Sequence, residues 1–171
     1  ICSFNLIPNS IIAGQILGCD ASKAKTIASK VDSFLFIGSG TFHPIRIAIE
    51  TGKPVYIANP ETHQFYLLPE DKIEEMKKAI RGKLSKFLAS DKIGILVSTK
   101  PGQHNLAKAI EIQKKYPEKE SFIFMFNTLD GNLLEDFPDI QFWVNTACNR
   151  IMGKHIINSE DIKIETPVVT G

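Results

Sequence analysis

The sequence predicts an α/β protein with two tandem related domains, each a small parallel sheet flanked by helices. Short apolar runs rich in β-branched and aromatic residues alternate with segments whose apolar residues recur every three or four positions. The order strand, helix, strand, helix, strand occurs twice along the 171 residues. Runs that are apolar on both faces and joined by helices are typical of parallel strands with right-handed crossovers.

The first half supplies one copy of this pattern. Its strands are predicted at residues 11–17, 34–37 and 55–58, with an extra strand at 64–67. The segments "SKAKTIASKV" and "PIRIAIETGK" between them are predicted to be helices. Pro44 suits a first helical turn and Gly52 suits a helix end, so the second helix has both boundary signals.

The second half repeats the order. Its strands are predicted at residues 93–97, 121–126 and 142–145. "HNLAKAIEIQKKY" predicts a helix between the first two strands, "NLLEDF" a short helical turn before the third, and "PVVT" a final short strand. The amphipathic segment between the halves predicts a connecting helix at 70–90. We therefore expect one domain over residues 1–90 and another over 91–171.

Composition excludes several classes of protein. With 43% hydrophobic and 23% charged residues the chain can bury a core, and its formal net charge of +1 gives no electrostatic signature of nucleic-acid or membrane binding. No apolar run approaches the roughly 20 residues that span a bilayer. Three cysteines without a regular framework indicate a reducing compartment. We expect a cytoplasmic protein.

Two cysteines follow predicted strands. Ligands of open parallel sheets bind at the carboxyl ends of the strands, where loops and helix amino-termini converge. Cys19 in "GQILGCDASKA" lies after the first strand, with Asp20 or Ser22 available to cap the next helix, and Cys148 in "VNTACNRI" lies after strand 142–145. Each is either a metal ligand or a small buried apolar side chain.

Two polar loops also follow strands. In "IGSGTFHP", Gly38 and Gly40 let the backbone approach a ligand, but the loop matches neither the dinucleotide fingerprint nor the Walker pattern. Further polar side chains in this loop belong to Ser39, Thr41 and His43. The loop "VSTKPGQHN" is either a carboxylate-binding loop or a Pro-Gly turn with a solvated lysine. Its candidate ligand-binding residues are Thr99, Lys100, Gly102 and Gln103.

The remaining candidate site residues lie in no recognisable ligand motif. Arg150 follows Cys148 by two positions, whereas no histidine shows ligand spacing. We expect three histidines to be surface or loop residues: His63, His104 and His155. If the two sheet edges face each other, residues 19 and 148 meet, but two thiolates leave a zinc, copper(I) or iron–sulfur site incomplete. Cys2 or an upstream domain would then supply another ligand.

Four segments together resemble the archaeal form of the diphthamide biosynthesis enzyme, the 2-(3-amino-3-carboxypropyl)histidine synthase family. They are "AGQILGCDASKA", "DSFLFIGSGTFHPIRIAIETGKPVYIANP", "GILVSTKPGQHNLAKA" and "WVNTACNRI". They occur in the family's order and at similar spacing, so the resemblance covers nearly the whole chain. The composition alone does not lead to this family.

The resemblance implies three related α/β domains, each giving one cysteine to a 4Fe-4S cluster, in a homodimer. It implies cleavage of S-adenosyl-L-methionine with an electron from an external donor. The 3-amino-3-carboxypropyl group passes to a histidine of translation elongation factor two, and methylthioadenosine is the by-product. The expected class is a transferase with non-classical radical chemistry, which acts in the cytoplasm without nucleic acid.

Carried over by motif, Cys19 corresponds to the ligand of the second domain and Cys148 to that of the third. Cys2 lies outside the family motifs. The first domain has no counterpart, and the chain begins with Ile1 rather than Met, so we expect a fragment whose own activity is in question. Asn145, Arg150 and the two loops are expected to line the cofactor site. The alternatives are a non-catalytic ligand-binding or accessory scaffold subunit and an inactive fragment.

Overall fold

The computed structural model describes residues 21–129, 134–148, 151 and 153–164. The chain divides into two compact units, residues 1–78 and 79–171. The division falls within the helix Glu70–Ala89, which the sequence predicts as the connection between the halves. Each unit has its own buried apolar cluster.

The first unit contains a small mixed sheet and helices. Its elements are α1 (Ser22–Ile27), a 3-10 turn (Ala28–Lys30), β1 (Phe34–Ile37), α2 (Phe42–Thr51), β2 (Val55–Asn59), β3 (Gln64–Leu67) and the start of α3 (Glu70–Ala89). The predicted helices and the strands at 34–37, 55–58 and 64–67 are confirmed. The predicted strand at 11–17 lies outside the described residues. Pro44 lies in the first turn of α2, and Gly52 ends that helix by donating its N–H to Ala48 O.

The pairing of β3 differs from the prediction, which was a parallel sheet. β1 and β2 are parallel, but β2 and β3 are antiparallel. The connection is only residues 60–63, too short for the crossover that parallel strands need. Asn59 Oδ1 accepts the amide hydrogens of Glu61 at 2.9 Å and Thr62 at 3.3 Å, which closes the turn. The short connection therefore makes the described sheet mixed.

The second unit has a fully parallel sheet. Its elements are β4 (Lys92–Ser98), α4 (Leu106–Lys115), β5 (Glu120–Phe126), β6 (Phe142–Asn145), β7 (Ile156–Asn158) and α5 (Ser159–Ile164). The strand order is β5-β4-β6-β7, and all three pairs are parallel. The three strands and the helix predicted here are confirmed, but β7 and α5 were not predicted. Only residues 134–137 of "NLLEDF" are described, with a turn at 134–136, and "PVVT" lies outside the described residues.

Both faces of the second sheet are covered. On one face, Ile95 and Val144 pack in the cluster that includes Phe87 of α3 and Ile112 of α4. On the other face, Trp143 packs with residues that follow β5 and precede β6. Two covered faces explain why these strands are nearly continuous apolar runs in the sequence. Within the described ranges, no helix is long and apolar enough to cross a membrane.

Tyr116, directly after α4, gives a pH-dependent stability. Its ring packs edge-on against Phe87 at 5.0 Å, and its buried hydroxyl has no hydrogen-bond partner among the described residues. Burial, with a smaller contribution from the Glu118 carboxylate, raises the pKa of Tyr116 above its ordinary value of 10.0. The folded protein therefore favours the neutral phenol, and its stability falls once the pH rises through the unfolded-state pKa toward the raised one.

We expect Tyr116→Phe to make the alkaline fall in the free energy of unfolding shallower, because the buried phenol no longer ionises. Urea unfolding at neutral pH and above the ordinary tyrosine pKa measures this difference. Tyr66→Phe is the matched control, since Tyr66 is 37% exposed and should leave the steeper fall in place. Equal alkaline slopes for the wild type and Tyr116→Phe would contradict the assignment.

Candidate functional site

The carboxyl ends of the second sheet's strands lie at one edge, because all the strands are parallel. Hydrogen bonds join these ends to one another. Thr99 donates to Phe126 O through its backbone N–H at 2.8 Å and through its hydroxyl at 3.2 Å, which ties the loop after β4 to the end of β5. Thr146 donates to Leu96 O through the same two groups, at 3.1 and 2.8 Å. Hydrogen bonds therefore link the segments that follow β4 and β6 to the neighbouring strands at this edge.

The loop after β4 forms a turn with exposed polar side chains. Lys100 donates its N–H to Ser98 Oγ at 3.1 Å, and Gln103 donates its N–H to Lys100 O at 3.1 Å. Gly102 has φ +76°, in the left-handed region that favours glycine. Thr99, Lys100 and Gln103 are exposed. The Pro-Gly turn is thus present, and ligand binding by its side chains stays a prediction.

His104 contacts the same edge. The sequence predicts only a surface or loop histidine, and its side chain is indeed exposed. Its Nδ1 lies 3.1 Å from Ser98 O, the carbonyl of the last residue of β4. Since a carbonyl only accepts, Nδ1 carries the hydrogen in this contact and neutral His104 has its lone pair on Nε2. Sequence spacing gave no signal for this contact, because it depends on the path of the turn.

Cys148 lies three residues beyond β6, at the predicted edge. It is a free, half-buried thiol. Asn145, the last residue of β6, is fully buried and donates from Nδ2 to Cys148 O at 2.8 Å. Ile151 N–H donates to the same carbonyl at 2.9 Å. Two hydrogen bonds therefore fix the backbone carbonyl of Cys148, and the residue as a whole is half-buried.

The glycine loop of the first unit lies at the carboxyl end of β1. Gly38 donates its N–H to Ala58 O at 3.0 Å, and Gly40 has φ +80°, again a conformation that favours glycine. Ser39 is exposed at this end. The ten-residue α2 starts two residues after Gly40, so its partly positive amino-terminus lies next to the loop.

His43 lies in the first turn of α2. It is half-buried, and its ring centroid is 6.0 Å from that of Phe36 and 5.5 Å from that of Phe42. The structure thus brings His43 and the glycine loop to the same strand end. α1 begins at Ser22 with Ala21 at its N-cap position. Of the two residues predicted as possible caps, Ser22 is thus the first residue of the helix, and Asp20 lies outside the described residues.

Several candidate residues lie outside the described ranges: Cys2, Cys19 and Arg150. The approach of residues 19 and 148 therefore stays a prediction. In the part of the chain that is described, no group of three or more His, Cys, Asp or Glu side chains is arranged to hold a metal ion. Cys148 fits one cysteine position of an iron–sulfur site, because it is a free, half-buried cysteine whose backbone carbonyl is fixed by hydrogen bonds.

A cavity of about 270 Å³ lies elsewhere in the second unit. Its lining includes Lys92, the first residue of β4, with Phe122 and Phe124 of β5. Residues 136–140 also line it. None of the candidate site residues lines this cavity, so we do not assign it to the site at the carboxyl edge.

The fold and this edge define an α/β protein with a thiol-bearing loop after a central parallel strand. Residues 4–170 match the diphthamide synthesis protein family, and the chain belongs to that family. The family and the α/β fold class predicted from the sequence are thereby confirmed.

Two relatives and one solved structure describe the similarity. The chain is 35% identical over 140 residues to the 2-(3-amino-3-carboxypropyl)histidine synthase of Pyrococcus horikoshii, covering 81% of this chain and 39% of the relative. It is 33% identical over 141 residues to the synthase of Methanocaldococcus jannaschii, covering 80% and 39%. The crystal structure of Dph2 from Pyrococcus horikoshii with a 4Fe-4S cluster matches with a TM-score of 0.73 and 31% identity, covering 89% of this chain and 44% of that chain. The chain thus spans about two fifths of the length of these curated relatives.

Proposed function

We propose that this chain forms the second and third domains of a 2-(3-amino-3-carboxypropyl)histidine synthase, over residues 1–90 and 91–171. The enzyme would transfer a 3-amino-3-carboxypropyl group from S-adenosyl-L-methionine to a histidine of translation elongation factor two, the first step of diphthamide biosynthesis. One observation carries this proposal: a free thiol, Cys148, lies on a fixed loop at the carboxyl edge of a chain that belongs to this family.

The proposed cofactor is a 4Fe-4S cluster held by Cys19, Cys148 and a third cysteine from a further domain. Dph2 from Pyrococcus horikoshii, which this chain resembles, carries such a cluster. Thiolates are the ligands that these clusters require, and Cys148 offers a free cysteine sulfur in a half-buried residue. When bound, the cluster supplies the electron that breaks the bond between the sulfur and the aminocarboxypropyl carbon, with methylthioadenosine as by-product.

The two polar loops and Arg150 are proposed to bind the amino-acid end of S-adenosyl-L-methionine. Its carboxylate suits a cation, and Lys100 is an exposed cation on the same edge as Cys148. Thr99 and Gln103 add exposed donor groups beside it. In the first unit, Gly38–Gly40 and the amino-terminus of α2 offer backbone N–H groups that suit an anion.

The proposed assembly has three partners. Elongation factor two is the protein substrate, a second copy of the enzyme forms a homodimer, and an external donor delivers the electron. The acceptor histidine must reach the edge that carries Cys148, so the exposure of the loop after β4 suits access by a protein substrate. Since the chain covers only 39% of the Pyrococcus synthase, these partners are proposed for the whole enzyme.

The test is a transfer assay with the full-length enzyme, reconstituted anaerobically with iron and sulfide. Dithionite serves as donor, with elongation factor two and S-adenosyl-L-methionine labelled in the carboxyl carbon. We expect label on elongation factor two and an equal amount of methylthioadenosine. Elongation factor two without the acceptor histidine is the control and should remain unlabelled. A reconstituted cluster that yields neither product would favour the non-catalytic scaffold and reject the enzyme.

A further inference from the structure

The loop that carries Cys148 is organised by one buried amide. Asn145 Oδ1 accepts the N–H of Ala147 at 2.9 Å, and Asn145 Nδ2 donates to Cys148 O at 2.8 Å. Both bonds run from a side chain with no exposed surface to backbone groups of the loop. The buried side chain of Asn145 thus stabilises the turn between β6 and Cys148 through hydrogen bonds to the backbone of that turn.

A second asparagine completes this arrangement from the neighbouring strand. Asn158, the last residue of β7, is paired with Asn145 in the register of the parallel sheet. Its Oδ1 accepts the other Nδ2 hydrogen of Asn145 at 2.7 Å. Both amide hydrogens of Asn145 and its oxygen are therefore engaged.

These contacts permit only one orientation of the Asn145 amide. A flip would point Oδ1 at two acceptors, Cys148 O and Asn158 Oδ1, and would point Nδ2 at the Ala147 N–H. A buried acceptor that faces another acceptor, or a buried donor that faces another donor, loses its hydrogen bond, and no water replaces it. The backbone groups of Ala147 and Cys148 therefore set which way the amide points. Asn158 Oδ1 holds the amide in that orientation by accepting its remaining hydrogen, and so supports the position of the Cys148 carbonyl.

We propose that Asn158 is a positioning residue for the Cys148 thiol, acting through Asn145. This inference rests on the proposed function, because a fixed thiol serves cluster ligation. It also gives Asn145 a defined role, because a fully buried amide with all its hydrogen bonds made orients the ligand loop. Sequence reasoning selected Asn145 but not Asn158, which lies ten positions after the cysteine on a strand of three residues.

The donor directions give the proposal an asymmetric test. Asn158→Asp keeps an oxygen where Asn145 Nδ2 needs an acceptor, whereas Asn158→Leu removes it. Asn145→Asp replaces both N–H donors with an oxygen and so loses the bond to Cys148 O, which can only accept. We therefore expect Asn158→Asp to behave as wild type and the other two variants to loosen the loop.

Amide hydrogen exchange in the metal-free chain reports the loop directly. The Ala147 N–H is bonded to Asn145 Oδ1 and the Ile151 N–H to Cys148 O, so both should lose protection by roughly tenfold in Asn158→Leu and in Asn145→Asp. Thr146→Val is the matched control, because it removes a buried hydroxyl bond to Leu96 O at the same edge without touching these contacts. Unchanged protection in Asn158→Leu, or equal loss in both aspartate variants, would overturn the proposal.

A second measurement uses the reconstituted full-length enzyme. We expect the visible absorbance of the cluster to bleach several-fold faster with a chelator in Asn158→Leu than in the wild type, with Asn158→Asp restoring the wild-type rate. Equal bleaching in all three proteins would overturn the positioning role even if exchange changes. A wild-type enzyme that binds no cluster would instead reject the proposed function, while the exchange result would still report the loop.

Discussion

Replacing Gly94 with alanine is expected to lower the free energy of unfolding by on the order of 3 kcal/mol. Gly94 is buried in β4, next to Trp143 of β6 in the sheet register. A Cβ atom at Gly94 would overlap the Trp143 ring at Cε3 and Cζ3. Both strands lie inside the sheet, with a neighbour on each side, so neither moves aside without breaking other pairs. Urea unfolding measures the loss.

Gly82→Ala is the matched control for this substitution. Gly82 is exposed in the interior of α3, and an added Cβ there meets no atom within 4 Å. Alanine should therefore raise the free energy of unfolding by about 0.5–1 kcal/mol, because it restricts the unfolded chain and favours the helix. A change within about 0.5 kcal/mol for Gly94→Ala would show that the packing of Trp143 against β4 is looser than described.

Cys148→Ala is expected to abolish stable cluster binding in the reconstituted full-length enzyme. The substitution removes one thiolate from a proposed set of three, and alanine offers no replacement ligand. It should leave the fold intact, since Cys148 is only half-buried and its backbone carbonyl, which carries the loop's hydrogen bonds, is unchanged. Bound iron and acid-labile sulfide, with the visible absorbance of the cluster, measure the effect.

Cys2, the cysteine that lies outside the family motifs, supplies the control. Cys2→Ala should keep the iron, the sulfide and the transfer activity of the wild type. Circular dichroism of both variants checks that each is folded. Full iron content in Cys148→Ala would contradict the ligand assignment, and loss of iron in Cys2→Ala would move that assignment to another thiol.

Sequence periodicity predicted the sheet where strands are long or strongly apolar. β4 extends one residue beyond its predicted range at each end, β5 begins one residue earlier than predicted, and β6 agrees at both ends. β7 was missed because its three residues are too few to show a period. The direction of β3 was likewise hidden, since it follows from the short turn at 60–63 and not from the apolar pattern.

The sequence could predict which residues of the site lie at strand ends, but not the contacts that their side chains make. The rule that ligands bind at carboxyl edges located Cys148, Lys100 and the glycine loop. The contacts of Asn145 with Asn158 require the register of β6 against β7, and the contact of His104 with Ser98 requires the path of a turn. Neither is encoded in residue spacing, because both depend on which backbone groups the folded chain brings together.

Alkylation mapping of the reconstituted full-length enzyme tests whether Cys19 and Cys148 hold one cluster. The protein is treated with iodoacetamide before and after the cluster is removed by a chelator, and the modified cysteines are identified by mass spectrometry. We predict that the cluster protects Cys19 and Cys148 together and that both become reactive after its removal, while Cys2 reacts equally in both states. Alkylation of Cys148 at the same rate with and without the cluster would contradict it.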